Sequence, residues 1–160
     1  MSGRSTRSAG ILLYRRRDDR LEVLLVHPGG PLWARRDAGV WSIPKGEYGD
    51  DEDPLAAARR EFAEELGTPA PDGDALELGE IRQKSGKRVQ AWVLAGDLDA
   101  EQIQSNTFAM QWPPRSGRTQ EFPEVDRAQW FGFDEAREKL NPAQVELLDR
   151  LSDILEDATS

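Results

Sequence analysis

The chain contains no cysteine among its 160 residues. Disulfides and thiolate zinc centres are therefore excluded. No apolar run approaches the roughly 20 residues that a membrane span needs. The opening segment MSGRSTRS lacks the apolar core of a secretory signal. A cytoplasmic location is expected, with no membrane partner. Cations are also in deficit: 21 Lys and Arg face 30 Asp and Glu, a net charge of −9. Such a chain is poorly suited to wrapping a nucleic-acid backbone, so no polymeric nucleic-acid partner is expected. Acidity does not exclude small phosphorylated ligands, because a divalent cation held by carboxylates reverses the local field.

Charged residues make up 32% of the chain and hydrophobic ones 38%, enough for one domain with a real core. We expect a single domain over 1–160 with residues 1–7 flexible. Monomer and homodimer are both compatible with the charge. Ser8 to Arg15 and Leu21 to His27 read as a strand hairpin, ended by Pro28-Gly29-Gly30-Pro31. Val40 to Ile43 reads as a short strand, followed by a turn at Pro44-Lys45-Gly46. Two more strands span Glu77 to Gln83 and Lys87 to Gly96, around a turn at Ser85-Gly86. Residues 105–124 read as irregular, then a strand at Ala128 to Phe131, a helix at Asp134 to Leu140, and a last helix from Pro142 to about Glu156.

The most informative segment is GEYGDDEDPLAAARREFAEELGT, from Gly46 to Thr68. Asp53-Pro54 is a strong helix start, and Gly67 suits the position just past its end. Leu55, Ala58, Phe62 and Leu66 form an apolar stripe. At about 100° per residue, that stripe points roughly 110° away from an arc holding Glu61, Glu64 and Glu65. The arc can bring oxygen ligands to a hard cation such as magnesium, with Gly46 allowing close backbone approach. A cation so held polarises phosphoryl oxygens, and a further carboxylate accepts a proton from water. Arg60 either fixes a carboxylate rotamer or forms an ordinary exposed i,i+4 pair with Glu64. By itself, a Glu-rich helix is more often a solvated face than a metal site.

The flanking residues change that balance. Gly46, five residues, Glu52, seven residues, Arg60-Glu61-Phe62, one residue, Glu64-Glu65, one residue, Gly67: this resembles the Nudix hydrolase signature G-x5-E-x7-R-E-U-x-E-E-x-G-U, where U is bulky and aliphatic. Every fixed letter is met. Phe62 and Thr68 depart at the U positions. The resemblance implies an α/β fold, an α/β/α sandwich around a mixed sheet. It also implies hydrolysis of a nucleoside diphosphate linked to another group, with Mg2+ or Mn2+ as cofactor. Glu61, Glu64 and Glu65 then match the metal-binding and catalytic glutamates, Gly46 the glycine beside the metal, and Glu52 a structural or outer glutamate. Some domains of this family sense a nucleotide without cleaving it; here no signature glutamate is lost.

Other positions are less specific. The resemblance also implies a further metal-binding or general-base glutamate from the loop before the last strand, with Glu124 favoured over Glu121. Trp41-Ser42-Ile43-Pro44-Lys45-Gly46 resembles the lead-in of diadenosine polyphosphate hydrolases and some MutT-like enzymes. Lys45 is either a phosphate ligand or a surface lysine. Arg35, Arg36, Lys84, Lys87, Arg115 and Arg118 are loop cations that could border a phosphate site. Trp33 and Trp112 are loop aromatics suited to base stacking or to anchoring loops. His27, the one histidine, ends a strand and is expected to be structural. Lys84-Ser85-Gly86 stand where some subgroups carry a substrate-marking proline or tyrosine, so neither the ADP-ribose nor the dinucleoside-polyphosphate marker is present.

Overall fold

A computed structural model describes residues 7–159, with side chains through Glu156. Residues 1–6, expected to be flexible, lie outside the described residues. Arg7, grouped with them, instead opens the first strand, β1 (Arg7–Arg17). β1 turns back into β2 (Arg20–Pro28) through Asp18 and Asp19, both at positive φ (53° and 65°). Two successive positive φ values match the right-handed twist of a two-residue hairpin, and aspartate tolerates that region better than most residues.

The described residues form eight strands in two sheets. β3 is Lys45–Glu47, β4 Leu76–Arg82, β5 Arg88–Ala95, β6 Thr107–Gln111, β7 Thr119–Pro123 and β8 Val125–Gly132. The main sheet runs β4-β5-β1-β2-β8, with β3 added against β1. β1 and β5 pair in parallel and the other neighbours antiparallel, so the sheet is mixed. The helices are α1 (Pro54–Leu66), α2 (Phe133–Lys139) and α3 (Val145–Thr159).

Period-two side-chain alternation splits the core between the two faces of the sheet. From β1, Ile11 and Leu13 join Phe62 and Leu66 of α1, whereas Leu12 joins Leu140, Leu147 and Leu151 on the opposite face. Helices thus cover both faces, giving the expected α/β/α sandwich. No helix among the described residues is long and apolar enough to cross a membrane.

Two expectations fail locally. Val40 to Ile43 is not a strand. Its residues make only single bridges, Val26 to Ser42 and Trp41 to Leu140, and the strand starts five residues later than expected, at Lys45–Glu47. The reason is that β1 and β2 splay. β1 pairs with β2 only from Tyr14 to Arg17, and its other half pairs with β3 through Ser8 to Gly10. The segment from Ser42 to Glu47 fills the gap, with Val26 and Ser42 exchanging backbone bonds of 2.8 and 3.0 Å.

Residues 105–124 are likewise not irregular: β6 and β7 form a separate antiparallel hairpin, with Phe108 opposite Phe122. Pro113, Pro114 and Gly117 occupy its connection and leave the ladder intact. Smaller differences occur at the end of the chain. β8 starts three residues earlier than expected, and Pro142 opens a 3-10 turn (Pro142–Gln144) that leads into α3.

α1 starts and stops as its sequence dictates. The Asp53 carboxylate accepts from the Ala56 amide at 3.0 Å, and Gly67 ends the helix at φ 74°. A Cβ at Gly67 would lie 2.4 Å from the Gln104 carbonyl oxygen. Gly67→Ala therefore combines left-handed strain with a backbone clash and should destabilise the protein by about 2 kcal/mol or more. Gly86→Ala, also at positive φ (92°) but facing open space, should cost only about 1 kcal/mol. Urea unfolding of the two variants against wild type measures the difference.

Candidate active site

The wedge from Ser42 to Glu47 passes directly beneath α1. A Cβ on Gly46 would lie 1.9 Å from Glu61 Oε1, so the Glu61 carboxylate occupies the space that any other residue at 46 would fill. Next to it, the Lys45 amide donates to Glu65 Oε1 at 3.3 Å. On the far side, the last turn of α1 is held to the start of the β6–β7 hairpin: the Asn106 amide donates to the Glu64 carbonyl at 2.9 Å and the Gln104 amide to the Leu66 carbonyl at 3.0 Å. These bonds satisfy carbonyls that a helix end leaves open. The Glu124 amide in turn donates to the Asn106 carbonyl at 2.9 Å.

These connections bring Gly46, Glu61, Glu64, Glu65 and Glu124 around one cavity of about 460 Å³, together with Lys45 and Lys87. Glu121 is not among the lining residues. It accepts from the Thr107 hydroxyl at 2.9 Å, across the hairpin. Of the two loop glutamates considered, only Glu124 faces this cavity.

Arg60 is the electrostatic hub. It grips Glu52 with two bonds, Nε to Oε2 at 2.7 Å and Nη2 to Oε1 at 2.9 Å. Its Nη1 donates to Glu61 Oε2 at 2.6 Å and reaches both Glu64 oxygens at 3.3 Å. Arg60 is thus more than an exposed i,i+4 pair with Glu64. The bond from Arg60 holds the Glu52 carboxyl below the ordinary glutamate range.

The carboxylates expected to converge on one point are arranged differently. Among the described residues, no three His, Asp or Glu side chains are gathered closely enough to hold an ion. Like charges repel, and the adjacent guanidinium draws Glu61 and Glu64 towards itself, while Glu65 faces the Lys45 amide. The donor set nevertheless fits a hard divalent cation. It is oxygen-only, it lines one cavity, and Gly46 leaves room for a carboxylate against the backbone.

Burial makes this cluster costly. The Glu65 carboxyl is pushed up to about 8, chiefly by desolvation; Lys45 opposes the shift, and Glu61 and Glu124 reinforce it. Glu61 is raised as well, first by burial and with the help of Glu64, against the bond from Arg60. Burial also lowers the Lys45 ammonium, partly offset by Glu65.

Of the other expected site residues, Lys45 lines the cavity and Lys87 does too, 3.5 Å from Glu47. Arg35 is exposed on the loop after β2 and does not line the cavity, nor do Lys84, Arg115 and Arg118. Trp33 lines a second, smaller cavity. Trp112 sits in the hairpin connection, its amide donating to the Arg118 carbonyl at 3.0 Å. His27 is fully buried away from the cavity; its Nε2 donates to the Arg36 carbonyl at 2.6 Å and its Nδ1 lies 2.8 Å from Asp126. Ser8, Glu47 and Asn106 also line the cavity, beyond the residues the sequence pointed to. No motif marks them, since strand pairing and the helix-end bond bring them there.

The family model described as NUDIX domain matches residues 4–151. An RNA pyrophosphohydrolase of Gluconacetobacter diazotrophicus is 52% identical over 40 residues, which are 25% of this chain and 22% of that protein. The match thus spans about a fifth of that relative's length. Among solved structures, the Ap4A hydrolase of C. elegans in a binary complex superposes with a TM-score of 0.67 at 23% identity, covering 94% of this chain and 98% of that one. The NUDIX domain of Shewanella oneidensis NrtR complexed with ADP ribose gives a TM-score of 0.66 at 18% identity, covering 96% and 90%. At these identities the likeness shows the fold.

A carboxyl whose pKa is raised in the fold keeps its proton to higher pH than it does in the unfolded chain. Between the ordinary glutamate range and about 8, the native state therefore carries more protons, and stability falls as pH rises. Without divalent metal, the protein should lose up to a few kcal/mol between roughly pH 5 and pH 8. Glu65→Gln should flatten most of that slope. Urea unfolding in chelator across a pH series measures both.

Proposed function

Since this chain belongs to the Nudix family, we propose that it is a magnesium- or manganese-dependent pyrophosphohydrolase. Its substrate is a nucleoside diphosphate linked to another group, in the class of nucleoside triphosphates and dinucleoside polyphosphates. The observation that carries this reading is the single cavity in which Glu61, Glu64, Glu65 and Glu124 stand beside Lys45 and Lys87. Carboxylates alone would repel a phosphate chain, and lysines alone would not activate water. Both together suit a site that holds a cation and an anionic substrate at once.

The ion would be held by Glu61, Glu64 and Glu65 beside Gly46. When bound, it would supply Lewis-acid polarisation of phosphoryl oxygens and lower the pKa of attacking water. The rest falls to the chain. Arg60 orients Glu61 and Glu64 and is itself fixed by Glu52. The Lys45 amide orients Glu65, and the Lys45 and Lys87 ammonium groups offset phosphate charge as point charges. A carboxylate of Glu64, Glu61 or Glu124 accepts the proton of the attacking water. A new phosphorus–oxygen bond forms as the anhydride bond breaks, and the leaving phosphate departs with that bond's electron pair.

Turnover of a nucleotide panel with magnesium tests this reading. Glu64→Gln and Glu65→Gln should each lower kcat by about a hundredfold or more; activity equal to wild type in both variants would remove the assigned roles. Reaction in oxygen-18 water, with mass analysis of products, identifies the phosphorus attacked. Magnesium at about a hundred times its Kd should stabilise the wild-type fold by roughly 2.7 kcal/mol, an effect that Glu65→Gln should largely abolish.

A further inference from the structure

Beside the carboxylate cavity lies a second one of quite different character. It measures about 150 Å³ and is lined by Gly29, Gly30, Leu32, Trp33, Phe108 and Met110. No charged side chain lines it. Its volume is about five times a water molecule's share of the liquid, ~30 Å³. That is room for one flat ring system, not for a whole ligand. Leu32 and Trp33 are also two of the three large hydrophobic side chains exposed among the described residues. Exposed apolar side chains clustered at a concavity mark a binding surface.

The two cavities share a wall. The Gly29 amide donates to the Glu124 carbonyl at 2.9 Å, and Glu124 lines the carboxylate cavity. Asn106, which also lines it, is two residues from Phe108 along the chain. Loop and hairpin fit closely: a Cβ on Gly29 would lie 2.0 Å from the Pro123 carbonyl oxygen, and one on Gly30 would lie 2.9 Å from the Phe108 ring, at a φ of 97°.

Trp33 is held in place before any ligand arrives. Its amide donates to the Gly30 carbonyl at 3.3 Å, and its carbonyl accepts from the Arg36 amide at 2.9 Å. The Arg36 carbonyl is anchored by buried His27, and the Arg36 guanidinium lies 5.6 Å from the centre of the Trp33 ring.

We propose that this cavity, with Trp33 and Phe108 as its aromatic walls, seats the nucleobase of the substrate while the phosphate chain lies in the adjoining carboxylate cavity. The assignment rests on the reading of the larger cavity as a phosphoanhydride site. An apolar, aromatic seat recognises a base through its flat face, because every base has one. Selection therefore follows stacking area: purine nucleotides bind more tightly than pyrimidine nucleotides, and adenine and guanine are accepted alike. A base-free phosphate chain gains nothing from the seat.

Equilibrium binding of Mg-ATP and of Mg-tripolyphosphate to the full chain tests this, with wild type, Trp33→Ala, Trp33→Phe and Phe108→Ala. Wild type should bind ATP more tightly than tripolyphosphate. Trp33→Ala should cut that ratio about tenfold, Phe108→Ala should reduce it, and Trp33→Phe should restore most of it. A purely structural Trp33 would weaken both ligands together and leave the ratio unchanged, overturning the proposal. Equal binding of ATP and tripolyphosphate by wild type would also overturn it. So would a shift in oligomeric state on gel filtration of Trp33→Ala with the ratio intact, because the patch would then be a self-association face. Binding is read before hydrolysis consumes the nucleotide. Absence of hydrolysis with a base-dependent ratio would count against the hydrolase reading and leave the base seat supported.

Discussion

The site depends on an approach that only glycine permits. The Glu61 carboxylate lies where a Cβ of residue 46 would be, so the strand carrying Gly46 and the helix carrying Glu61 meet without a side chain between them. That approach requires β3 to be wedged into the main sheet, which requires β1 to stand apart from β2 over the residues before Tyr14. A local gap in a hairpin thus sets the distance between a strand and a helix. The carboxylate face of α1 is adjacent to its packing face, so the same helix supplies Phe62 and Leu66 to the core and Glu61, Glu64 and Glu65 to the cavity.

Charge is the second constraint. Five glutamates line one cavity and oppose one another, and partial burial makes that opposition stronger than it would be in water. The fold answers with Arg60, which spans Glu52, Glu61 and Glu64, and with the Lys45 backbone amide on Glu65. Glu52 lies outside the cavity, yet its two-point grip fixes the guanidinium from which two cavity glutamates take their orientation. The rise of Glu65 to about 8 comes first from burial, with Glu61 and Glu124 adding to it against Lys45. Stability is given up there to keep a carboxyl buried beside other carboxyls.

The segments around the cavity are joined by backbone bonds. α1 ends on Gln104 and Asn106, Asn106 holds Glu124, and Glu124 holds Gly29. The β6–β7 hairpin and the loop after β2 are therefore attached to the helix that bears the glutamates. Buried His27 ties the same loop to the sheet through Arg36, and packs edge-on against Trp41 at 5.1 Å. This chain of bonds puts an apolar cavity and an acidic one on either side of one wall.

Local chemistry made much of this legible in the sequence. The span of α1, its Asp53 and Gly67 ends, the face shared by Glu61, Glu64 and Glu65, and both hairpins of the main sheet follow from propensity, capping and periodicity, which act over a few residues. The spacing from Gly46 to Gly67 was enough to suggest the family. Tertiary structure decided what depends on distant parts meeting. It moved the short strand from Val40–Ile43 to Lys45–Glu47, because a gap between β1 and β2 had to be filled. It made 107–123 a hairpin whose prolines lie mostly in the connection. It faced Glu124 into the cavity and Glu121 out of it, left Arg35 at the surface, and turned two expected ligands toward Arg60. Each outcome is set by contacts between residues far apart in the chain, which neither periodicity nor spacing encodes.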